Sequence, residues 1–114
     1  MKVEGQQFKN SDTCEGTVFS SENIPHDIAT IKITGRYPES GWAINETVHE
    51  LVLVSEGSGG LEFKGADSHE LKVGDVIYVE PGKRFAWNGE ITIVMTCSPA
   101  FSSNQYKLED ENEV

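Results

Sequence analysis

Positive charge is scarce in this sequence: 9 Lys and Arg stand against 19 Asp and Glu, a formal net charge of -10 with a pI near 4.6. Such a chain lacks the clustered cationic surface that gives nucleic-acid binding its sequence-independent affinity, and an anionic membrane surface repels it for the same reason. Neither nucleic acid nor membrane is expected as a partner. Cysteine is nearly missing too. Cys14 and Cys97 are too few for a disulfide framework and too far apart for a zinc knuckle, so they read as reduced thiols. No apolar run approaches the ~20 residues of a membrane span, and the stretch from Met1 to Gln7 has no apolar core of the signal-peptide kind. A cytoplasmic location is expected, and the sequon Asn45-Glu46-Thr47 then carries no meaning. Also absent are a helical period of useful length, a longer repeat, a nucleophile elbow, a phosphate loop and a dinucleotide fingerprint.

What remains is strand rhythm and turn chemistry. With 114 residues, 37% of them hydrophobic, and 11 glycines, the chain fits one turn-rich β domain able to bury its own core. Lys2 to Phe8 suits an edge strand and Cys14 to Phe19 a second. Loop residues then lead to Ile28–Thr34, where Ala29, Ile31 and Ile33 share one face. The breakers from Gly35 to Gly41 predict a surface turn from which Arg36 and Tyr37 project. Glu46 to Gly60 begins with polar side chains, runs into the apolar strand Leu51–Val54, and is expected to stop at its glycines. Apolar residues at every position of 51–54 predict cover on both faces, hence two layers. Leu61 and Phe63 pair with the strand around His69, Leu71 and Val73 as a hairpin. Val76 to Val79 is a further strand, and Glu80-Pro81-Gly82-Lys83 is a tight turn. Asn88-Gly89 carries the hairpin signal that favours positive φ, joining Phe85 and Trp87 to Ile91–Cys97, whose Ile91, Ile93, Met95 and Cys97 share a face. Residues 107–114 form an acidic tail expected to be disordered, leaving 1–106 as the domain. Short strands at near-regular spacing predict an all-β sandwich or barrel, a jelly roll by preference.

The stretch from Glu50 through Trp87 resembles the cupin family, small jelly-roll β-barrels (double-stranded β-helices) with two motifs about one hairpin apart. Glu50-x6-Gly57 matches the second half of the first motif, and Gly74-Asp75 with Glu80-Pro81-Gly82 matches the frame of the second. The histidines of the family are replaced. Counting back from Glu50 lands on Ile44 and Glu46 with one gap or Ala43 and Asn45 with the other, and counting forward from Gly82 lands on Phe85. The resemblance implies a cupin-type barrel, a small-molecule ligand and a homodimer.

Two sets of site residues emerge. For a metal-free polar pocket at the barrel mouth, Asn45, Glu46 and Glu50 supply directed polar groups and Phe85 and Trp87 an apolar wall. A buried Glu46–Glu50 pair there would hold one proton between them. For a divalent metal, the family's metal position leaves only Glu46 and Glu50, with His49 added by a local twist, a thin set for ions that favour imidazole or thiolate. No cofactor is expected. The leading functional expectation is a binding module or sensor for a small polar metabolite. The alternatives are an enzyme performing isomerase- or epimerase-type acid–base chemistry on a sugar or small carbonyl compound, and a metal-dependent oxygenase. His69 beside Asp67 and Ser68 cannot adopt triad geometry, and Cys97 reads as a small buried hydrophobe.

Overall fold

The structure is a computed structural model that describes residues 1–110. Nine strands follow in order: β1 (Gly5–Ser11), β2 (Cys14–Phe19), β3 (Asp27–Thr34), β4 (Trp42–Asn45), β5 (His49–Phe63), β6 (His69–Lys72), β7 (Val76–Val79), β8 (Arg84–Ser98) and β9 (Tyr106–Glu109), with one turn of 3-10 helix at Ser103–Gln105 before the last. All named pairings are antiparallel. The long strands β5 and β8 pair along nearly their whole length and belong to both layers of the barrel. In one layer the order is β1-β2-β3-β8-β5-β7; in the other it is β9-β4-β8-β5-β6. This is a jelly roll closed around one core.

Alternation decides what lies inside. Ala29, Ile31 and Ile33 on β3, Val52 and Val54 on β5, and Ile91, Ile93, Met95 and Cys97 on β8 are buried and form one cluster with Val48, Leu61, Phe85 and Trp87. The passage of β5 between layers occurs at a bulge between Val54 and Glu56, followed by Gly57 at φ +73°. A bulge adds twist and bends the strand, which is what a strand shared by two layers needs.

Several expectations need correction. The glycines at 57–60 do not stop β5, and Asn88-Gly89 is not a hairpin turn. Both lie inside the long strands, because only glycines let the two backbones approach so closely: a Cβ on Gly89 would sit 2.6 Å from the Gly59 Cα. Gly89 instead exchanges backbone hydrogen bonds with Gly35 (2.8 and 3.1 Å), so its positive φ serves a bend in β8. Tyr37 is buried rather than a projecting lid, since its backbone bridges Trp87 in both directions (2.9 and 2.7 Å) and turns the ring inward. Leu51 (52% exposed) and Leu53 (41%) are uncovered on the outer side, so apolar residues at four consecutive positions did not mean two covered faces in this chain. The tail boundary also moves. Tyr106–Glu109 is a strand paired with β4, and Glu109 takes Arg84 as a bidentate partner. Its backbone ladder and this ion pair hold it where hydrophobicity gives no signal. Residues 111–114 of the expected tail lie outside the described residues. No described helix is long and apolar enough to cross a membrane.

Candidate functional site

The site is built from a chain of amides whose orientation is forced. Gln105 Oε1 accepts the backbone N–H groups of Thr47 and Val48 (3.2 Å each), so its Nε2 must point the other way, where it donates to Asn45 Oδ1 at 2.9 Å. Asn45 then has only its Nδ2 to offer, and this donates to Glu50 Oε2 at 2.9 Å. Two backbone donors at one end of the chain therefore fix the group presented to the carboxylate at the other. Gln105, Asn45 and Glu50 are all at most 5% exposed. Replacing Gln105 by Leu leaves two backbone N–H groups and the Asn45 carbonyl unpaired. The expected result is a loss of about 2–4 kcal/mol in unfolding free energy by urea denaturation.

Glu50 is placed by strand parity. It shares the inward face of β5 with Val52 and Val54, and its neighbour on β8 is Cys97, whose own neighbour on β3 is Asp27. Asp27, Cys97 and Glu50 thus form a buried cross-strand row, at 5%, 4% and 3% exposure. Each carboxyl is half satisfied. Asp27 Oδ2 accepts the Phe101 N–H at 2.9 Å while Oδ1 has no partner, and Glu50 Oε2 is held by Asn45 while Oε1 has none.

Electrostatics follow from this burial. Loss of solvent pushes the Glu50 carboxyl up to about 7, with the Asn45 hydrogen bond opposing and the Asp27 charge assisting. The Cys97 thiol is pushed well above its ordinary range, first by burial, then by the Glu50 and Asp27 charges, and last by its hydrogen-bonding contact with the Asp27 carboxyl. Beside this row, Tyr37 Oη and Tyr106 Oη share a hydrogen bond of 3.0 Å. Burial raises both phenols, and the Glu50 charge adds to each. The segment from Pro99 to Gln105 crosses this end of the barrel: Ala100 N–H donates to Pro25 O, Phe101 N–H to Asp27, and Gln105 ties down Asn45. Depressions of about 600 Å³ beside Phe8, Gly16 and Thr30 and of about 370 Å³ beside Phe63, Gly82 and Arg84 lie elsewhere and contain none of these groups.

Of the residues read from the sequence, Asn45, Glu50, Phe85 and Trp87 are all inward and buried, with Asn45 and Glu50 in contact. Glu46 is exposed, one position past Asn45 and so on the other side of the strand path. The carboxyl that shares an interior row with Glu50 is Asp27, not Glu46. His49 is exposed on the outer face, stacked on Tyr78 with Nδ1 and the phenol oxygen 2.6 Å apart. Glu46, His49 and Glu50 therefore do not converge on a metal, and Asn45 and Glu50 Oε2 are committed to each other. Among the described residues no three His, Cys, Asp or Glu side chains come together as a metal site. Of the two registers for the replaced histidines, the structure selects Ala43 and Asn45, with Ala43 opposite Phe85. Asp27 was within reach of the sequence, because it extends the Ala29–Ile31–Ile33 alternation by one step. Gln105 and Tyr106 carried no such signal.

No protein-family model matches the sequence, and no curated protein matches it. Solved structures do match. Pac13 of Streptomyces, described as a unique nucleoside dehydratase and solved with uridine as single-residue variants, superposes with a TM-score of 0.83 at 18% identity, over 96% of this chain and 91% of its own. A cupin-2 domain protein of Rhodospirillum rubrum follows with a TM-score of 0.71 at 12% identity, over 96% of this chain and 76% of that one. The chain has the cupin fold. Ectoine synthase of P. lautus matches likewise, with a TM-score of 0.69 at 11% identity over 93% and 86%. On this cupin fold the first resembling stretch, Glu50 to Gly57, lies on β5, the second, Gly74 to Gly82, spans β7 and its flanking turns, and Glu50 points inward.

Proposed function

We propose that this protein binds a small polar metabolite inside its barrel, at the end where Asn45 and Glu50 lie. One observation carries the reading: Glu50 is 3% exposed, yet one of its carboxyl oxygens has no hydrogen-bond partner. A buried unpaired acceptor costs about 1–3 kcal/mol, which a ligand donor would relieve. Phe85 and Trp87 supply the apolar wall that such pockets combine with a few directed polar groups. Entry requires the Pro99–Gln105 segment to lift from Pro25 and Asp27.

The Glu50 carboxyl, held near neutrality by burial, favours a second step in which it gives a proton to, or takes one from, the bound metabolite. This is acid–base chemistry of the isomerase or epimerase kind. Enzymes such as Pac13 and ectoine synthase on the same fold are compatible with it. The reading runs through no metal, because among the described residues the side chains do not form a donor set for one. A thermal-shift screen of sugars and small carbonyl compounds is expected to find a stabilising ligand, with the stabilisation lost in Glu50→Gln. A ligand that stabilises both proteins equally places the pocket elsewhere.

We also propose a homodimer in the cytoplasm. Two free, buried thiols suit a reducing compartment. On the outer sheet face, the cross-strand rows Tyr78–Leu51–Thr96–Ile28 and Val76–Leu53–Val94–Thr30 carry no charged side chain, and Leu51, Leu53, Val76, Tyr78 and Ile28 are each more than 40% exposed. Two copies of net charge -10 repel least across such a face. Light scattering is expected to give twice the chain mass, and Leu51→Glu with Leu53→Glu half of that; a wild-type monomer would refute the dimer.

A further inference from the structure

The Asp27–Cys97–Glu50 row is more specific than a generic polar pocket, and its role as a ligand cradle rests on the interior site proposed around Glu50. Both carboxyls are built alike. In each, one oxygen is held by the protein (Asp27 by the Phe101 backbone, Glu50 by the Asn45 amide) and the other accepts no N–H, the weak thiol donor of Cys97 beside Asp27 apart. The three residues are direct register neighbours, so the carboxyls flank one thiol on adjacent positions of three paired strands. No Lys, Arg or His forms an ion pair with either carboxyl among the described residues. Among the described residues, the titratable groups that act on this row are carboxyl, thiol or phenol: Asp27, Glu50, Cys97, Tyr37 and Tyr106. None of them brings positive charge.

Two open acceptors ask for two donors, and a buried carboxylate without a counter-ion asks for positive charge. A neutral diol meets the first need and leaves the second. A nitrogen cation with several N–H donors meets both, and the planar amidinium and guanidinium groups do so with donors spread to two sides. We infer that Asp27 and Glu50 form a two-carboxyl cradle that selects a ligand bearing a cationic nitrogen group, with Asp27 Oδ1 and Glu50 Oε1 as its acceptors. The acidic protein favours approach of such a ligand, since the net charge of -10 attracts cations over the whole surface.

The test uses an isosteric pair, acetamidinium and acetamide, with erythritol as a neutral polyol, on the full chain against an equal concentration of sodium chloride. Acetamidinium is expected to raise the melting midpoint by about 3 °C or more, and acetamide not to. Asp27→Asn keeps an oxygen for the Phe101 N–H but replaces the open acceptor with a donor; it is expected to melt cooperatively and to bind acetamidinium at least ~10-fold more weakly. Glu50→Gln is expected to do the same. If erythritol stabilises the wild type through Glu50 while acetamidinium does not, the cationic class is overturned and the interior site stands. If Asp27→Asn binds acetamidinium unchanged, Asp27 is not part of the cradle and the proposal falls. If none of the three compounds shifts the wild type, the cradle and the interior site fall together.

Discussion

The unfolding free energy of the wild-type protein is expected to carry a component of about 3 kcal/mol that is present below pH 4.5 and lost as pH rises through 7, and Glu50→Gln is expected to abolish it. The folded state holds the Glu50 proton more tightly than the unfolded chain does, because burial raises the carboxyl from 4.5 to about 7. Between those values the native protein binds more protons than the unfolded one, so stability falls with increasing pH. Above 7 both states have lost the proton and the native state bears a buried charge. The interval corresponds to the ~3 kcal/mol stated. Other groups add their own pH dependence, so the quantity to measure is the difference between wild type and Glu50→Gln in urea unfolding at pH 5 and pH 8. Glutamine keeps an oxygen for the Asn45 amide and removes the titration. The expected difference curve rises in favour of the variant toward pH 8. A flat curve would mean that Glu50 is solvated, and the pocket reading would lose its main support.

The second large effect is expected at Gly57. Substitution by alanine places a Cβ against the Glu90 carbonyl oxygen of the paired strand, closer than any van der Waals contact allows, at a φ of +73° that L-residues avoid. The neighbour is backbone of β8, which cannot turn aside as a side chain could. Gly65 is the control, because its φ is +75° but nothing lies within 4 Å of its would-be Cβ. Gly65→Ala is expected to cost about 1 kcal/mol, the conformational penalty alone. Gly57→Ala is expected to cost at least ~3 kcal/mol by adding overpacking to that penalty, with a drop in melting midpoint of ten degrees or more at roughly 4 °C per kcal/mol. Equal losses at the two positions would mean that β5 and β8 are not in close contact at this bend.

Gly57 also shows how far the sequence could be read. Its place seven residues after Glu50 identified the motif frame, yet the same glycines were expected to end a strand that in fact continues to Phe63. The reason is that a positive φ serves a bulge as well as a turn. The same holds for Asn88-Gly89, a hairpin signal by local chemistry and a bend in β8 by long-range pairing. Where one face of a strand is simply buried, local reading succeeded: Ala29, Ile31 and Ile33, and then Ile91, Ile93, Met95 and Cys97, all point into the core as their period of two requires.

The candidate site divides along the same line. Glu50, Asn45, Phe85 and Trp87 were legible because the motif frame numbers their positions, whereas the inward parity that Glu50 shares with Val52 and Val54 came only with the fold. Glu46 was misplaced, since nothing local shows how the chain turns between Asn45 and His49. Gln105 and Tyr106 were invisible in a polar stretch whose order comes from the β4 ladder and from side-chain hydrogen bonds to Thr47, Val48 and Tyr37.

By itself, then, the amino-acid order determined the all-β class, most strand positions, the inward faces of Ile28–Thr34 and Ile91–Cys97, and the resemblance to the cupin barrel. The first three rest on a two-residue period and on turn chemistry within a few positions, the resemblance on Glu50, Gly57, Gly74-Asp75 and Glu80-Pro81-Gly82 at their spacing. Only the tertiary structure decided that Asp27 rather than Glu46 flanks Glu50, that Gln105 orients Asn45, and that Leu51 and Leu53 stand uncovered. Those facts depend on register between strands tens of residues apart, where a shift of one residue would turn every side chain to the other face.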